Sequence, residues 1–286
     1  MTEVSTRIAT CFRHPDRETG VRCQRCERPV CPQCMVPADV GVQCVECVRA
    51  SPSRVISARR LAAAYRPYVT YALIAVNVAV WALGIGVAIM NGGAGGLLSG
   101  GTLTAAGGLS GARVAAGEWW RLITAGFLHT GLIHLGLNMA ALFVFGPPLE
   151  RALGRLRFGT LYLTALLAGS FGVLLLSPGS LTVGASGAIF GLLGGLIAGQ
   201  RAAGISLRSS GIISLLVINL VFTLAIPGIS IGGHLGGLAG GFVAASLLFN
   251  GRLRQQGGLL PIVLCAALAA ACFAASLWVA GHPLRS

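Results

Sequence analysis

The chain has 286 residues, of which 55% are hydrophobic and only 10% charged, with 42 glycines. That composition excludes an ordinary soluble globular domain and reads as a polytopic membrane protein. The formal net charge of +13 comes entirely from arginine. Beyond residue 50 the arginines sit mainly between apolar runs, so membrane topology accounts for them better than nucleic-acid binding, with attraction to anionic headgroups as a lesser alternative.

The first 50 residues are different in kind. They hold six of the eight acidic residues and are polar and Cys-rich, so no cleavable signal peptide is expected there. They contain Cys11-x2-His14, Cys23-x2-Cys26, Cys31-x2-Cys34 and Cys44-x2-Cys47. Four ligand pairs supply the donors for two tetrahedral structural zinc ions, and a segment this short needs metal to fold. A disulfide framework would leave a thiol unpaired. The pattern resembles B-box-type zinc fingers. That resemblance implies cross-braced pairing, with Cys11, His14, Cys31 and Cys34 at one site and Cys23, Cys26, Cys44 and Cys47 at the other. Such modules bind proteins, so a cytosolic protein partner is expected. Cys265 and Cys272, in the last apolar run, read as packing residues.

An arginine-dotted linker at 51–66 leads into apolar runs near 69–90, 127–148, 157–177, 185–201, 210–227, 229–249 and 259–281. Each approaches the roughly 20 residues needed to cross the hydrocarbon core, which predicts an all-α protein with seven spans. Eleven arginines then fall on one side, at 54, 59, 60, 66, 151, 155, 157, 201, 208, 252 and 254, against Arg113, Arg121 and Arg285 on the other. The positive-inside rule puts the N-terminus in the cytoplasm and the C-terminus outside, and the cell membrane is the expected location. Spans two, four and six then start at the outer face. His134, Ser186 and His234 come to one depth.

A serine hydroxyl needs a base to take its proton, and His234 is the only histidine in the C-terminal half of the membrane region. No carboxylate follows Glu150, so a Ser-His dyad is expected rather than a triad. Phe190, one turn after Ser186, is placed to pack on the imidazole, although plain helix packing explains it equally well. His134 and Asn138, four residues apart on one helix face, form a candidate oxyanion hole with the backbone N–H of Ser186, while interhelical bonding is the bland alternative for Asn138. His129 is expected nearer the water as a support. The glycines around His234 form small-xxx-small ridges, which pack helices and also let His234 reach a serine on a neighbouring helix.

These residues resemble the rhomboid family of intramembrane serine proteases over about 67–250. The motifs are Glu118-Trp119-Trp120-Arg121, His129-x4-His134-x3-Asn138, Gly146-x3-Glu150-x3-Gly154, Gly184-Ala185-Ser186-Gly187 and His234-x2-Gly237-x3-Gly241. The resemblance implies a six-helix core with Ser186 as nucleophile, His234 as base and His134 with Asn138 at the oxyanion hole. It makes Arg121 and Glu150 structural supports, and Gly184 and Gly187 part of the nucleophile motif. The family often has tyrosine at the position of Phe190.

The expected organisation is a B-box-like zinc domain at 1–50, a basic linker at 51–66, a rhomboid-like core at 67–250, and a seventh transmembrane helix and tail at 251–286. The expected activity is endoproteolysis of transmembrane protein substrates near the outer membrane face, with no cofactor for catalysis and no nucleic-acid partner. Two rivals stand beside it. One is a non-catalytic membrane scaffold or chaperone that recruits partners through the zinc module. The other is a transporter, which would require internal repeats that the two halves do not display.

Overall fold

The computed structural model describes residues 9–38, 40–50, 65–91, 101–208, 210–255 and 258–282. The chain forms two compact units, residues 1–64 and 65–286. Most of the linker, and with it Arg54, Arg59 and Arg60 of the topology count, lies outside the described residues, as does Arg285.

In the N-terminal unit, β1 (Ala9–Cys11) pairs antiparallel with β2 (His14–Thr19), and β3 (Met35–Pro37) with β4 (Val42–Cys44). Helix α1 (Val45–Ala50) follows directly. Among the described residues, the buried cluster consists of Cys11, Cys23, Cys31, Cys34 and Cys44 around a single aliphatic side chain, Val30, with Phe12, Met35 and Val42 partly buried against it. Burial on that scale contributes too little to offset the entropy of ordering the segment.

The second unit begins with α2 (Tyr68–Met90), followed by the short helices α3 (Gly101–Gly107), α4 (Gly111–Ala115) and α5 (Arg121–Thr124). The longer helices α6 (Leu132–Leu153), α7 (Arg155–Leu176), α8 (Ser186–Ala202), α9 (Ile212–Ala225) and α10 (Ile231–Phe249) come next. Short α11 (Gly251–Gln255) precedes α12 (Leu260–Gly281). Helices α2, α6, α7, α10 and α12 are each long and apolar enough to span a membrane. Helices α8, with 17 residues, and α9, with 14, fall short of the usual span. This is an integral, multi-pass helical membrane protein.

Six of the seven expected runs coincide with helices to within about two residues. The second does not: α6 occupies Leu132–Leu153 rather than 127–148. Residues Ala125–Phe127 form a 3-10 turn and Leu128 is extended, so an apolar loop fills the start of the expected span. At the other end the helix runs through Pro147 and Pro148 and stops at Gly154, whose φ of 79° suits glycine. Hydropathy alone cannot separate an apolar loop held against protein from the helix it leads into.

Glu150, fully buried near the end of α6, caps α2. Its carboxylate accepts from the backbone N–H of Val69 (3.0 Å) and of Thr70 (2.8 Å), and from the Thr70 hydroxyl (2.7 Å). These N–H groups have no partner within the helix, so the carboxylate satisfies them and complements the helix dipole. Arg157 likewise reaches the Gly258 carbonyl just ahead of α12 (3.2 Å). The helix ends that carry Arg66, Arg151, Arg155 and Arg157 are therefore drawn to one face.

Helices α7, α8 and α10 make the tightest contacts. A Cβ on Gly237 would fall on the Gly187 carbonyl, one on Gly241 on the Gly191 backbone, and one on Gly172 on the Gly232 carbonyl. No side chain can yield at these points, because the obstacles are backbone. Gly237→Ala is expected to push α10 off α8 and to cost about 1–3 kcal/mol of stability. Thermal unfolding in detergent would measure this, and an unchanged midpoint would contradict the contact.

Candidate active site

Ser186 is positioned by a loop stapled at both ends. Leu109 and Thr182 exchange two backbone hydrogen bonds of 2.8 Å, and Gly184 donates to the Ala125 carbonyl at 2.9 Å. Gly184 has a φ of 125°, a conformation open to glycine and strained for other residues. Ser186 then opens α8 and remains half-buried. On α10, the Ser230 hydroxyl caps the helix by accepting from Gly233 N–H (3.0 Å), and His234 follows in the first turn, buried.

Phe190, one turn beyond Ser186 on α8, stacks on His234 with ring centroids 3.9 Å apart and planes 18° apart. One helix thus carries both the hydroxyl and the ring that holds the imidazole. The backbone approach at Gly187 and Gly237 makes this contact between α8 and α10 possible.

His134 stands in the first turn of α6. Its Nδ1 lies 3.5 Å from Thr130 N and 3.1 Å from Thr130 Oγ1. A backbone N–H can only donate, so this contact forms when Nδ1 accepts, the tautomer in which Nε2 carries the proton. A Cβ built on Gly184 would lie 2.8 Å from that Nε2 and 3.7 Å from Ser186 Oγ. An N–H donor and the serine hydroxyl thus converge on the Gly184 backbone. Asn138, one turn along, is buried and donates one Nδ2 proton to the His134 carbonyl (2.8 Å), which leaves its second N–H for another acceptor.

His129 lies in the loop that precedes α6, not within the helix expected from residue 127, and is only 1% exposed. The 3-10 turn folds it inward, edge-on to His134 at 5.0 Å between centroids. Arg121, also buried, bonds Glu118 (2.6 Å) and the carbonyls of Ala105 (3.1 Å) and Gly108 (2.6 Å), tying the first loop together. Hydrogen bonding to Arg121 holds the Glu118 carboxyl below its usual range. The pairing therefore stabilises at neutral pH and is lost only as pH falls below that range.

Two threonines went unnoticed in the sequence. Thr130 lies against His134 Nδ1 through its backbone N–H and its hydroxyl, and Thr223 on α9 places Oγ1 2.7 Å from His234 Nδ1. Thr223 is visible as a polar residue in an apolar run, but such residues commonly bond their own helix. A cavity of about 30 Å³, lined in part by Ser170, Thr182, Gly184, Ser186 and Ser230, adjoins the site. It has room for about two waters.

In the N-terminal unit, Cys11, His14, Cys31 and Cys34 form one donor cluster and Cys23, Cys26, Cys44 and Cys47 the other, each with its ligand atoms within 4.8 Å of one another. A tetrahedral zinc with bonds of about 2.3 Å to sulfur separates its sulfurs by about 3.8 Å. Cys26 and Cys44 lie 3.8 Å apart, and His14 Nδ1 lies 3.3, 3.4 and 3.9 Å from Cys34, Cys31 and Cys11. The donors fit a structural metal in chemistry and spacing.

The Rhomboid domain family model matches residues 116–251. Rhomboid protease GluP of Bacillus subtilis (strain 168) is 42% identical over 172 residues, 59% of this chain and 34% of GluP. RHOMBOID-like protein 4 of Arabidopsis thaliana is 35% identical over 167 residues, 55% of this chain and 42% of that protein. The rhomboid-type protein YdcA of B. subtilis is 38% identical over 152 residues, 50% of this chain and 73% of YdcA. This chain belongs to the rhomboid family. The rhomboid match takes in Ser186, His234, His134 and Asn138, and leaves the cysteine-rich unit and α12 outside it. The chain spans about a third of GluP and two-fifths of RHOMBOID-like protein 4.

Proposed function

We propose that this rhomboid is an intramembrane serine endopeptidase that cleaves transmembrane protein substrates within the bilayer. The carrying observation is the joint placement of Ser186 and Phe190 on α8, His234 against Phe190, and His134 Nε2 beside Gly184. In this reading Ser186 Oγ attacks the scissile carbonyl carbon while its proton passes to His234 Nε2. The oxyanion that forms is met by His134 Nε2–H, the free Asn138 N–H and the Ser186 backbone N–H. His234 then protonates the leaving amine, and water hydrolyses the acyl-serine. Substrates with small residues at the cut and weak helices nearby fit best, because a stable helix hides its amides in internal hydrogen bonds. The relatives named as rhomboid proteases support the same reading.

The arginine-rich face is the cytoplasmic one by the positive-inside rule, which puts the N-terminus inside, the C-terminus outside and the cut near the outer face of the cell membrane. Residues 1–50 form a B-box-like module with two structural zinc ions that engages a cytosolic protein. The 51–66 segment links it to a six-helix core at 67–250, and 251–286 adds a seventh span and tail. The test is cleavage of a single-span substrate co-reconstituted in lipid vesicles. A fluorophosphonate-sensitive cut inside the span is expected. An intact substrate that co-purifies with the chain would favour the scaffold reading instead.

A further inference from the structure

We infer that Thr223 on α9 is the positioning residue that fixes His234 with its proton on Nδ1 and its Nε2 lone pair free to take the proton of Ser186. The inference rests on the reading of His234 as the general base, and it names the group that stands where a triad would carry a carboxylate.

The argument is one of proton counting. Thr223 Oγ1 makes two short contacts, 2.7 Å to the Asn219 carbonyl oxygen and 2.7 Å to His234 Nδ1. A threonine hydroxyl has one proton to give, and a carbonyl can only accept. If that proton went to His234, two oxygens would face each other at 2.7 Å with no hydrogen between them. Both contacts are satisfied only when Thr223 donates to Asn219 and accepts from His234 Nδ1–H. In a neutral imidazole this leaves Nε2 unprotonated, the form a general base requires.

The bond survives the proton transfer. When Nε2 gains the serine proton, Nδ1 keeps its own, and Thr223 goes on accepting without rotating. A carboxylate in this position orients the ring and stabilises its cation. The Thr223 hydroxyl, polarised by donating to a helix carbonyl, orients the ring without placing a charge in the bilayer. Two restraints then act at right angles, since Phe190 holds the face of the ring and Thr223 its edge. Thr223 is only 3% exposed and His234 only 6%, so water does not compete readily for Nδ1.

Thr223 also stands out on its own helix. Val217, Ile218, Val221, Phe222 and Leu224 of α9 are all exposed, and apart from Thr223 the only buried residue of α9 is Ile212. The polar residue of this outward-facing helix that is buried is the one that meets the imidazole.

The test uses full-length protein in detergent micelles with ¹⁵N-labelled histidine, the His234 signals being assigned by their loss in His234→Asn. The wild type is expected to carry the His234 proton on Nδ1. Thr223→Val, which keeps the shape and removes the hydroxyl, is expected to give mixed tautomers and to slow fluorophosphonate labelling of Ser186 about 10-fold. Thr223→Ser is expected to restore both. A wild-type proton on Nε2 would overturn the assignment, as would Thr223→Val keeping the wild-type tautomer, or slowed labelling that Thr223→Ser does not restore. A wild type with the Nδ1–H tautomer whose Ser186 never labels would instead remove the protease reading and leave the tautomer assignment standing.

Discussion

Replacing Ser186 by alanine is expected to abolish cleavage and fluorophosphonate labelling, by about 10⁵-fold, while leaving the fold untouched. The size follows from the way nucleophile and base act as a unit. Once the hydroxyl is gone, the imidazole has no proton to accept, and what remains is oxyanion stabilisation and substrate binding. His234→Ala should therefore lose nearly as much, and the double variant little more. Stability should not follow activity. Ser186 makes no side-chain cap bond to α8, whose preceding residue Ala185 occupies the cap position, and it is half-buried rather than packed in the core. Thermal midpoints of Ser186→Ala and wild type in the same detergent should agree within a degree or two. Residual cleavage above one part in a thousand by purified Ser186→Ala would remove the hydroxyl from the chemistry. Equal loss of activity and stability would instead make Ser186 a packing residue.

Much of this arrangement was legible in the sequence. Ser186 and His234 stood out because an apolar helix holds a polar residue at a cost, and the absence of carboxylates beyond Glu150 pointed to a dyad. The glycine ridges were equally legible, since only glycine permits backbone contact such as that between Gly187 and Gly237. Partners that depend on tertiary geometry were not. The site of Thr223 on α9 is fixed by how α9 lies on α10, and nothing in residues 212–225 encodes that approach. His129 belongs to a folded loop through which an apolar run extends the expected helix backwards, and only packing distinguishes the two. The supporting role expected of Glu150 acquired a physical form only with the structure, as a carboxylate on α6 satisfying donors some 80 residues earlier. Local pattern identifies which residues are unusual, and packing decides what each one meets.

Stripping metal from the full-length protein is expected to unfold residues 9–50 and leave the membrane unit intact. Among the described residues of the first unit, the buried side chains are nearly all thiols, and Val30 is the one aliphatic side chain among them. Without a bound ion, the cysteine clusters would be thiols held about 4 Å apart with nothing to draw them together. Structural zinc supplies about 10–16 kcal/mol of apparent binding free energy at neutral pH, enough to carry a module that hydrophobic burial cannot. The membrane unit has its own cores, one around Leu142, Phe158, Leu161 and Leu192 and another around Leu109, Leu122 and Leu174, and contains neither metal cluster. Elemental analysis of the native protein should find two zinc ions per chain, and Cys23→Ser should lower that count by one. After chelation, limited proteolysis should cut freely within residues 9–50 while residues 65–286 stay resistant. Adding zinc should restore protection. A chelated protein whose first 50 residues resist protease as before would mean that something other than metal holds the module together, and the paired cysteines would then have to be explained as packing alone.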